Sequence, residues 1–515
     1  MIENIRKFLK NNKLDALLVN STNEFLVEYN RLEENSRYTL TGFSGSTGDA
    51  VVTVDKVYLF VDGRYHIQAD NEVNHDIVTV VKLQTGETQL KKICELLPKD
   101  STLGVVSAKN SQKQIEALEK HFQLKLLDTD PIEKEAITKE TPDTAVDEKL
   151  AGKSSDEKIK MLRSKIGEKD AILISNLEEV SYIFNLRNYT TPYSSKISKR
   201  AIITQTDAQL FAKEDFEAYK KTIAAIEGKI YIDKSTINGR DFLLVGSKAA
   251  YFDKSPVMQM KAIKTEAEIN HYIEAFKKTD LALKATRDYI ENTDNISEAD
   301  IAQRLEEEFI KYGAIGLSFK SIVAKDQNSA LAHYSKCSKE EIIKDGSLVL
   351  IDCGGYYEGG LATDITRVFV KGTPNALQKK VYTTVLKVFL NSLHAVPTNG
   401  FEIDNNARKI FAKNPIEGFV FNHGLGHGIG ISVHEYPPNL SCGEIAKVPI
   451  EENMCFTIEP GLYNQEHFGV RLENSCYKKD GKIHSFVHMN YEKKLIDFSL
   501  LSEQEKIWLE EFEVI

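Results

Sequence analysis

No CxxC pair occurs in the sequence, and only six cysteines stand in 515 residues: Cys94, Cys337, Cys353, Cys442, Cys455 and Cys476. So few and so scattered, they exclude a disulfide framework and a zinc ribbon, and a reducing cytoplasm is the simplest compartment. No apolar run approaches the roughly 18 residues of a membrane span. A block of basic residues is also missing. The 66 Lys and Arg are dispersed among 76 Asp and Glu, for a net charge of −10, which leaves no footprint for nucleic acid. The opening Met1-Ile-Glu-Asn-Ile-Arg-Lys-Phe-Leu-Lys has no continuous apolar core of the kind a signal peptide needs; it reads as an amphipathic helix.

What is present fits a folded, soluble chain of on the order of two to four domains, with 42% hydrophobic and 28% charged residues. The first half repeats itself. Asp15-Ala-Leu-Leu-Val-Asn is echoed by Asp170-Ala-Ile-Leu-Ile-Ser, Ala50-Val-Val-Thr by Ala201-Ile-Ile-Thr, and Leu59-Phe-Val-Asp by Leu210-Phe-Ala-Lys. Each copy reads helix, buried strand, helix, β-hairpin, and offsets of 155 and 151 residues indicate a duplicated α/β domain, since solenoid repeats are far shorter. Chance similarity between short apolar strands is the alternative. A polar stretch from about Asp128 to Lys160 reads as a linker with a helix at its end. A third unit begins near Pro256. Thr265–Glu268 is a capping box that sets Ile269, Tyr272, Ile273 and Phe276 on one helical face, and Ser297–Asp300 starts a second helix with Ile301, Leu305 and Phe309 inward. Short glycine-rich strands follow from about residue 315, and a helix near Ser502–Phe512 carries the sole tryptophan, Trp508. Helices ahead of a mostly antiparallel sheet make this unit α+β.

Four carboxylates and several histidines in the last third carry the chemistry. Strand Ser347-Leu-Val-Leu-Ile-Asp352 ends in a carboxylate, and the chain returns through glycines to Asp364-Ile-Thr-Arg. Their even separation lets both aspartates lie on one face of a hairpin, where a divalent cation relieves both their repulsion and their lost hydration. Taken alone, each aspartate could instead make a turn or pair with Arg367. His423-Gly-Leu-Gly-His427-Gly-Ile-Gly is too glycine-rich for a helix; as an extended segment it turns 423, 425 and 427 the same way, and His434 follows. Glu459 and Glu473 each interrupt an apolar strand, and a buried glutamate without a partner is expensive. Glu473 could pair with Arg471, which leaves Glu459 unexplained. Four carboxylates and one histidine on four short strands of one sheet form an oxygen-rich set suited to two Mn²⁺, Co²⁺, Fe²⁺ or Zn²⁺ ions.

These segments resemble the pita-bread metallopeptidases: Asp352…Asp364-Ile-Thr-Arg, His423-Gly-Leu-Gly-His427-Gly…Val-His434-Glu, Ile-Glu459-Pro-Gly and Gly-Val-Arg471-Leu-Glu473-Asn. Leu40-Thr-Gly-Phe-Ser-Gly-Ser, Asp62-Gly-Arg64-Tyr-His-Ile-Gln-Ala69, Ala151-Gly-Lys-Ser-Ser, Phe184-Asn-Leu-Arg187 and the C-terminal Leu495-Ile-Asp…Leu500-Leu-Ser…Trp508-Leu extend the likeness to the three-domain, cytosolic-type Xaa-Pro aminopeptidase family. The resemblance implies creatinase-like domains at 1–130 and 146–256 and a pita-bread catalytic domain at 257–515. It implies two divalent ions, Mn²⁺ first among the four, bridged by Asp364 and Glu473, with Asp352 completing one site and His427 and Glu459 the other. Water activated there would attack a peptide bond that precedes proline in second position, with Glu459 moving the proton. His423, His434 and His333 match substrate-contacting histidines, and Arg471 would orient ligand carboxylates. Glu459, His423 and His434 are thus the catalytic candidates. A homodimer is implied as well. Alternatives are a prolidase confined to Xaa-Pro dipeptides, a non-catalytic binding module, and creatinase-like chemistry without metal. Two departures stand out: the two aspartates lie one residue further apart than is usual in the family, and the second domain lacks a tryptophan common there. Arg64 is read as shaping a substrate or domain interface.

Overall fold

The duplicated pattern of the first half builds two sheets on one plan. A computed structural model describes residues 1–84, 86–133 and 141–512. In the first copy, helix Ile2–Asn12 buries Ile5 and Leu9 against strand Ala16–Val19, as its amphipathic spacing predicts. That strand pairs antiparallel with Ala50–Thr53, which pairs antiparallel with Val57–Val61, and on its other side it runs parallel to Thr102–Val106. The second copy repeats this. Ala171–Ile174 pairs antiparallel with Arg200–Thr204, which pairs with Ala208–Phe211, while Ile230–Tyr231 lies parallel to Ala171–Ile174. Shared connectivity and pairing sense across both sheets is more than chance similarity of two strands supplies. The first copy adds one strand, Val78–Lys82, parallel to Val57–Val61. Of the Asp128–Lys160 linker, residues 134–140 lie outside the described residues; helix Ser155–Arg163 closes it behind a Ser154 capping box.

The described residues divide into two compact units. One is Met1–Thr144, Ser154–Pro192 and Lys196–Val257, and so holds both sheets. A buried ion cluster joins them: Glu24 of the first copy accepts from Arg200 and Arg240 of the second at 2.8 and 2.6 Å, and Arg200 also pairs with buried Asp241. Burial opposes ionisation of Glu24, but the two guanidiniums win and hold its carboxyl down at about 2. Arg64 also lies in this unit, where it donates to Asp62 and Thr47 and stacks over Tyr65.

The other unit is Ala145–Lys153, Tyr193–Ser195 and Met258–Ile515. Thr265 and Ser297 do form capping boxes, starting helices Glu266–Asn292 and Glu298–Lys311; Ile269, Tyr272, Phe276, Ile301, Leu305 and Phe309 are buried, and Ile273 is partly so. A sheet follows, in the order Ile322–Lys325, Leu348–Cys353, Ile365–Val370, Glu473–Lys479, Cys455–Ile458, Gly426–Gly428, Glu435–Leu440, with every described pairing antiparallel. Helix Ala376–Leu393 buries Val381, Val385, Leu386 and Phe389 in the same apolar core as Leu350, Val368, Phe456 and Ile458. The C-terminal helix, Glu503–Leu509, is shorter than the Ser502–Phe512 span read from the sequence, with Ser502 as its capping residue.

Candidate metal centre

Strand register sets the acidic side chains together. Asp352 lies opposite Thr366, and Thr366 opposite Glu473, so these three form one row across three strands on one face. Asp364 precedes Thr366 by two and shares that face. The hairpin tip preserves this register: Cys353 opposes Ile365, and Tyr356 bridges Ala362. The described pairing therefore runs in one register up to the turn at 357–361, where Gly359 and Gly360 have positive φ. Ile458 opposes Asn474, which brings Glu459, one residue beyond the strand end, next to Glu473. His427 comes from Gly426–Gly428, one strand further on. A side chain at Gly426 would collide with Thr457 O at 2.0 Å, so glycine permits this close approach. The five residues thus come from five neighbouring strands, one more than the sequence suggested, because Asp352 and Asp364 sit on separate strands.

All five converge. One donor atom each from Asp364, His427 and Glu473 lie within 4.8 Å of one another. His427 Nε2 is 3.6 Å from both Asp364 Oδ2 and Glu459 Oε1. His427 Nδ1 lies 3.0 Å from Gly428 O, which can only accept, so Nδ1 carries a proton and Nε2 is the ring nitrogen turned toward the two carboxylates. Asp352 Oδ1 is buried and has no hydrogen-bond partner among the described residues. Burial raises Asp364 well above the ordinary carboxylate range, and Glu473, Asp352 and Glu459 push it further; burial, then Glu459 and Asp352, do the same to Glu473. Carboxylates crowded together in a buried space are relieved by a cation between them, and this oxygen-rich donor set with one imidazole fits a pair of divalent ions.

The surrounding residues fix this geometry. Arg471 Nη2 pairs with Asp352 Oδ2 and reaches Ala332 O at 3.4 Å, while Nε donates to Thr366 Oγ1, which donates in turn to Glu473 Oε2 at 2.7 Å. The ion pair of Arg471 is thus with Asp352, whereas Glu473 is held through Thr366. Arg367 pairs with neither aspartate among the described residues; it donates to the carbonyls of Thr366, Glu473, Met489 and Asn490 and stacks on Tyr491. His434 packs edge-on to His427, with ring centroids 4.5 Å apart. Its neighbour Glu435 is buried between Lys261 and Lys264 and accepts from Ile431 N; burial opposes its charge, but the two ammonium groups hold it down at about 2.

His423 is placed differently from expectation. Leu425 is buried in the apolar core, so the alternation does not extend upstream of Gly426, where the strand begins. His423 Nδ1 donates to Gly424 O, and Nε2 lies 2.8 Å from Tyr463 Oη. Arg471 Nη1 donates to that same hydroxyl at 2.9 Å. A neutral His423 therefore accepts from Tyr463. Sequence reasoning missed Tyr463, because an aromatic on the apolar strand Gly461–Tyr463 reads as core. Its hydroxyl ties Arg471, and through it Asp352, to His423. Tyr463→Phe removes the hydroxyl to which buried Arg471 Nη1 donates and which bonds His423, so kcat/KM is expected to fall about 10- to 100-fold, a loss of about 1.5–3 kcal/mol, with metal content unchanged in elemental analysis.

Comparison with known proteins agrees with this architecture. Residues 270–479 match the model of metallopeptidase family M24, and residues 1–136 and 136–268 match models of the creatinase/prolidase N-terminal domain. A probable Xaa-Pro aminopeptidase P of Paracoccidioides lutzii is 29% identical, spanning 99% of this chain and 93% of that protein. Its counterpart in Coprinopsis cinerea is 27% identical with the same coverage. An X-prolyl aminopeptidase from Caenorhabditis elegans, described as a cytosolic enzyme with a di-nuclear active site, shares the fold at a TM-score of 0.86, with 23% identity over 96% of this chain and 90% of that one.

Proposed function

The chain belongs to metallopeptidase family M24 through its residues 270–479, behind two creatinase/prolidase N-terminal domains, and on that footing we propose that it is an Xaa-Pro aminopeptidase. It removes the N-terminal residue from peptides with proline in second position. The observation that carries this reading is the convergence of four carboxylates with the His427 imidazole. Asp364 and Glu473 would bridge two divalent ions, Asp352 would complete one site, and His427 and Glu459 the other. Bound there, the ions supply a water of lowered pKa and polarise the scissile carbonyl.

The chain's own groups do the rest. Glu459 keeps 19% of its side chain exposed beside His427, within reach of water, and serves to hold the proton and pass it to the leaving amine. His434, edge-on to His427, and His333 contact substrate. His423 contributes through Tyr463, and Arg471 keeps Asp352 oriented. The reading includes Mn²⁺ as the native ion, a homodimer in the cytoplasm, and catalytic limits of 257–515 behind N-terminal domains at 1–130 and 146–256. Retention of all five donors speaks against a non-catalytic module and against metal-free creatinase-like chemistry. Likeness to aminopeptidases over 99% of the chain favours the exopeptidase over a dipeptide-only prolidase.

With the Mn²⁺-loaded protein, an Ala-Pro-Ala tripeptide is expected to be cleaved at least about 100-fold better, by kcat/KM, than Ala-Ala-Ala. Equal rates on the two tripeptides would defeat the proline assignment. Turnover of Ala-Pro alone, with none of the tripeptide, would reassign the chain as a prolidase.

A further inference from the structure

Glu298 is a buried carboxylate that the mechanism above does not use. It occupies the first turn of helix Glu298–Lys311, where the helix dipole favours negative charge, and it is 0% exposed. Its two oxygens collect four hydrogen bonds. Oε1 accepts from Lys325 N at 2.6 Å and Asn328 Nδ2 at 2.9 Å; Oε2 accepts from Tyr334 Oη at 2.7 Å and Ser338 N at 3.1 Å. These donors span one segment, from the end of strand Ile322–Lys325 through Ser338, and that segment carries His333. Burial and the adjacent Glu298 carboxylate push the Tyr334 hydroxyl well up, so it stays a donor. From the opposite side, Arg471 Nη2 holds Ala332 O with the group that pairs with Asp352, and Ser329 is bonded to both N and O of Gly469.

All four donors to Glu298 are neutral. A buried carboxylate with only neutral partners is costly to desolvate, so its burial adds little net stability. What the carboxylate supplies instead is four fixed acceptor directions converging from separate points of one loop. We propose that Glu298 is a positioning residue: its carboxylate clamps the 325–338 segment so that His333 is held at the metal centre. The inference rests on the reading of His333 as a substrate contact.

Glu298→Gln replaces one oxygen by an amide that must face two donors, so two of the four bonds fail. Tyr334→Phe, a milder variant, removes one. In the Mn²⁺-loaded protein, each is expected to speed amide hydrogen exchange across 326–338 while both ions stay bound. Unchanged exchange in both variants overturns the clamp, whatever the enzyme's substrate. On Ala-Pro-Ala, Glu298→Gln is expected to lower kcat/KM about 10- to 100-fold, the scale of a small misplacement of a substrate-positioning group. Added to His333→Ala it should cost less than about 2-fold more, because the residue it acts through has gone. The same loss in both backgrounds overturns the inference. A wild-type enzyme inactive on Ala-Pro-Ala defeats the functional reading, and the exchange experiment still decides the clamp.

Discussion

Asp364→Asn is expected to reduce kcat on an Ala-Pro tripeptide at least about 1000-fold, about 4 kcal/mol of barrier, and to release at least one of the two ions. Asp364 faces His427 Nε2 at 3.6 Å and is crowded by Glu473, Asp352 and Glu459. An amide at this position has one carbonyl oxygen of lower charge and an NH₂ group that cannot bind a cation. Removing one charge from a crowded buried cluster also relieves repulsion. In the presence of chelator, the variant should therefore melt above the wild type by about 1–3 kcal/mol of added stability, even as activity is lost. Full turnover with both ions retained would refute the ligand assignment.

The stabilisation conferred by metal is expected to grow with pH. A carboxyl raised in the folded state binds a proton there at pH values where the unfolded chain has released it, so stability falls as pH climbs through that interval. Asp364 and Glu473 are both raised well above the ordinary range by burial and by neighbouring carboxylates. Their penalty is absent below the ordinary carboxylate values, builds as pH rises, and is complete once their elevated native values are passed. Asp280, which burial pushes up to about 7, and Asp404, also raised by burial, slope the same way, but with or without metal. Glu24 and Glu435, both held at about 2 by their cation partners, lose their contribution only in acid, below the window of interest. The difference between metal-loaded and metal-free stability thus isolates the cluster. Between pH 5.5 and 7.5 that difference should widen by about 1.4 kcal/mol per pH unit for each proton the ions displace. Denaturant melts at several pH values, with Mn²⁺ or with chelator, check this; a constant difference would mean that the carboxylates do not share the ions.

What the sequence discloses depends on how far apart the interacting residues lie. Thr265 and Ser297 announce their helices because a capping box is complete within four residues. The Asp352–Asp364 hairpin is legible from its even spacing, because strand geometry alternates strictly and one register runs up to the turn. The duplicated domains are legible because each copy repeats the same apolar strands. Beyond that range the signal fades. Leu425 looks equivalent to His423 and His427 by alternation, yet the strand starts only at Gly426 and the leucine turns into the core. Tyr463 shares its site with Arg471, His423 and Asp352, three residues from separate stretches of the chain, and nothing local separates it from a core tyrosine. Glu298 is harder still, since two of its four donors are backbone amides, which no residue type marks. Arg471 and Glu473 alternate as if paired, but the guanidinium reaches across to Asp352 because Thr366 already occupies the glutamate.

An anomalous difference map from crystals grown with Mn²⁺ tests the central claim most directly. The account predicts two peaks enclosed by Asp352, Asp364, His427, Glu459 and Glu473, each at about 2.0–2.2 Å from its carboxylate and imidazole donors. A map with no peak among these five side chains, or with its manganese elsewhere in the chain, would contradict it.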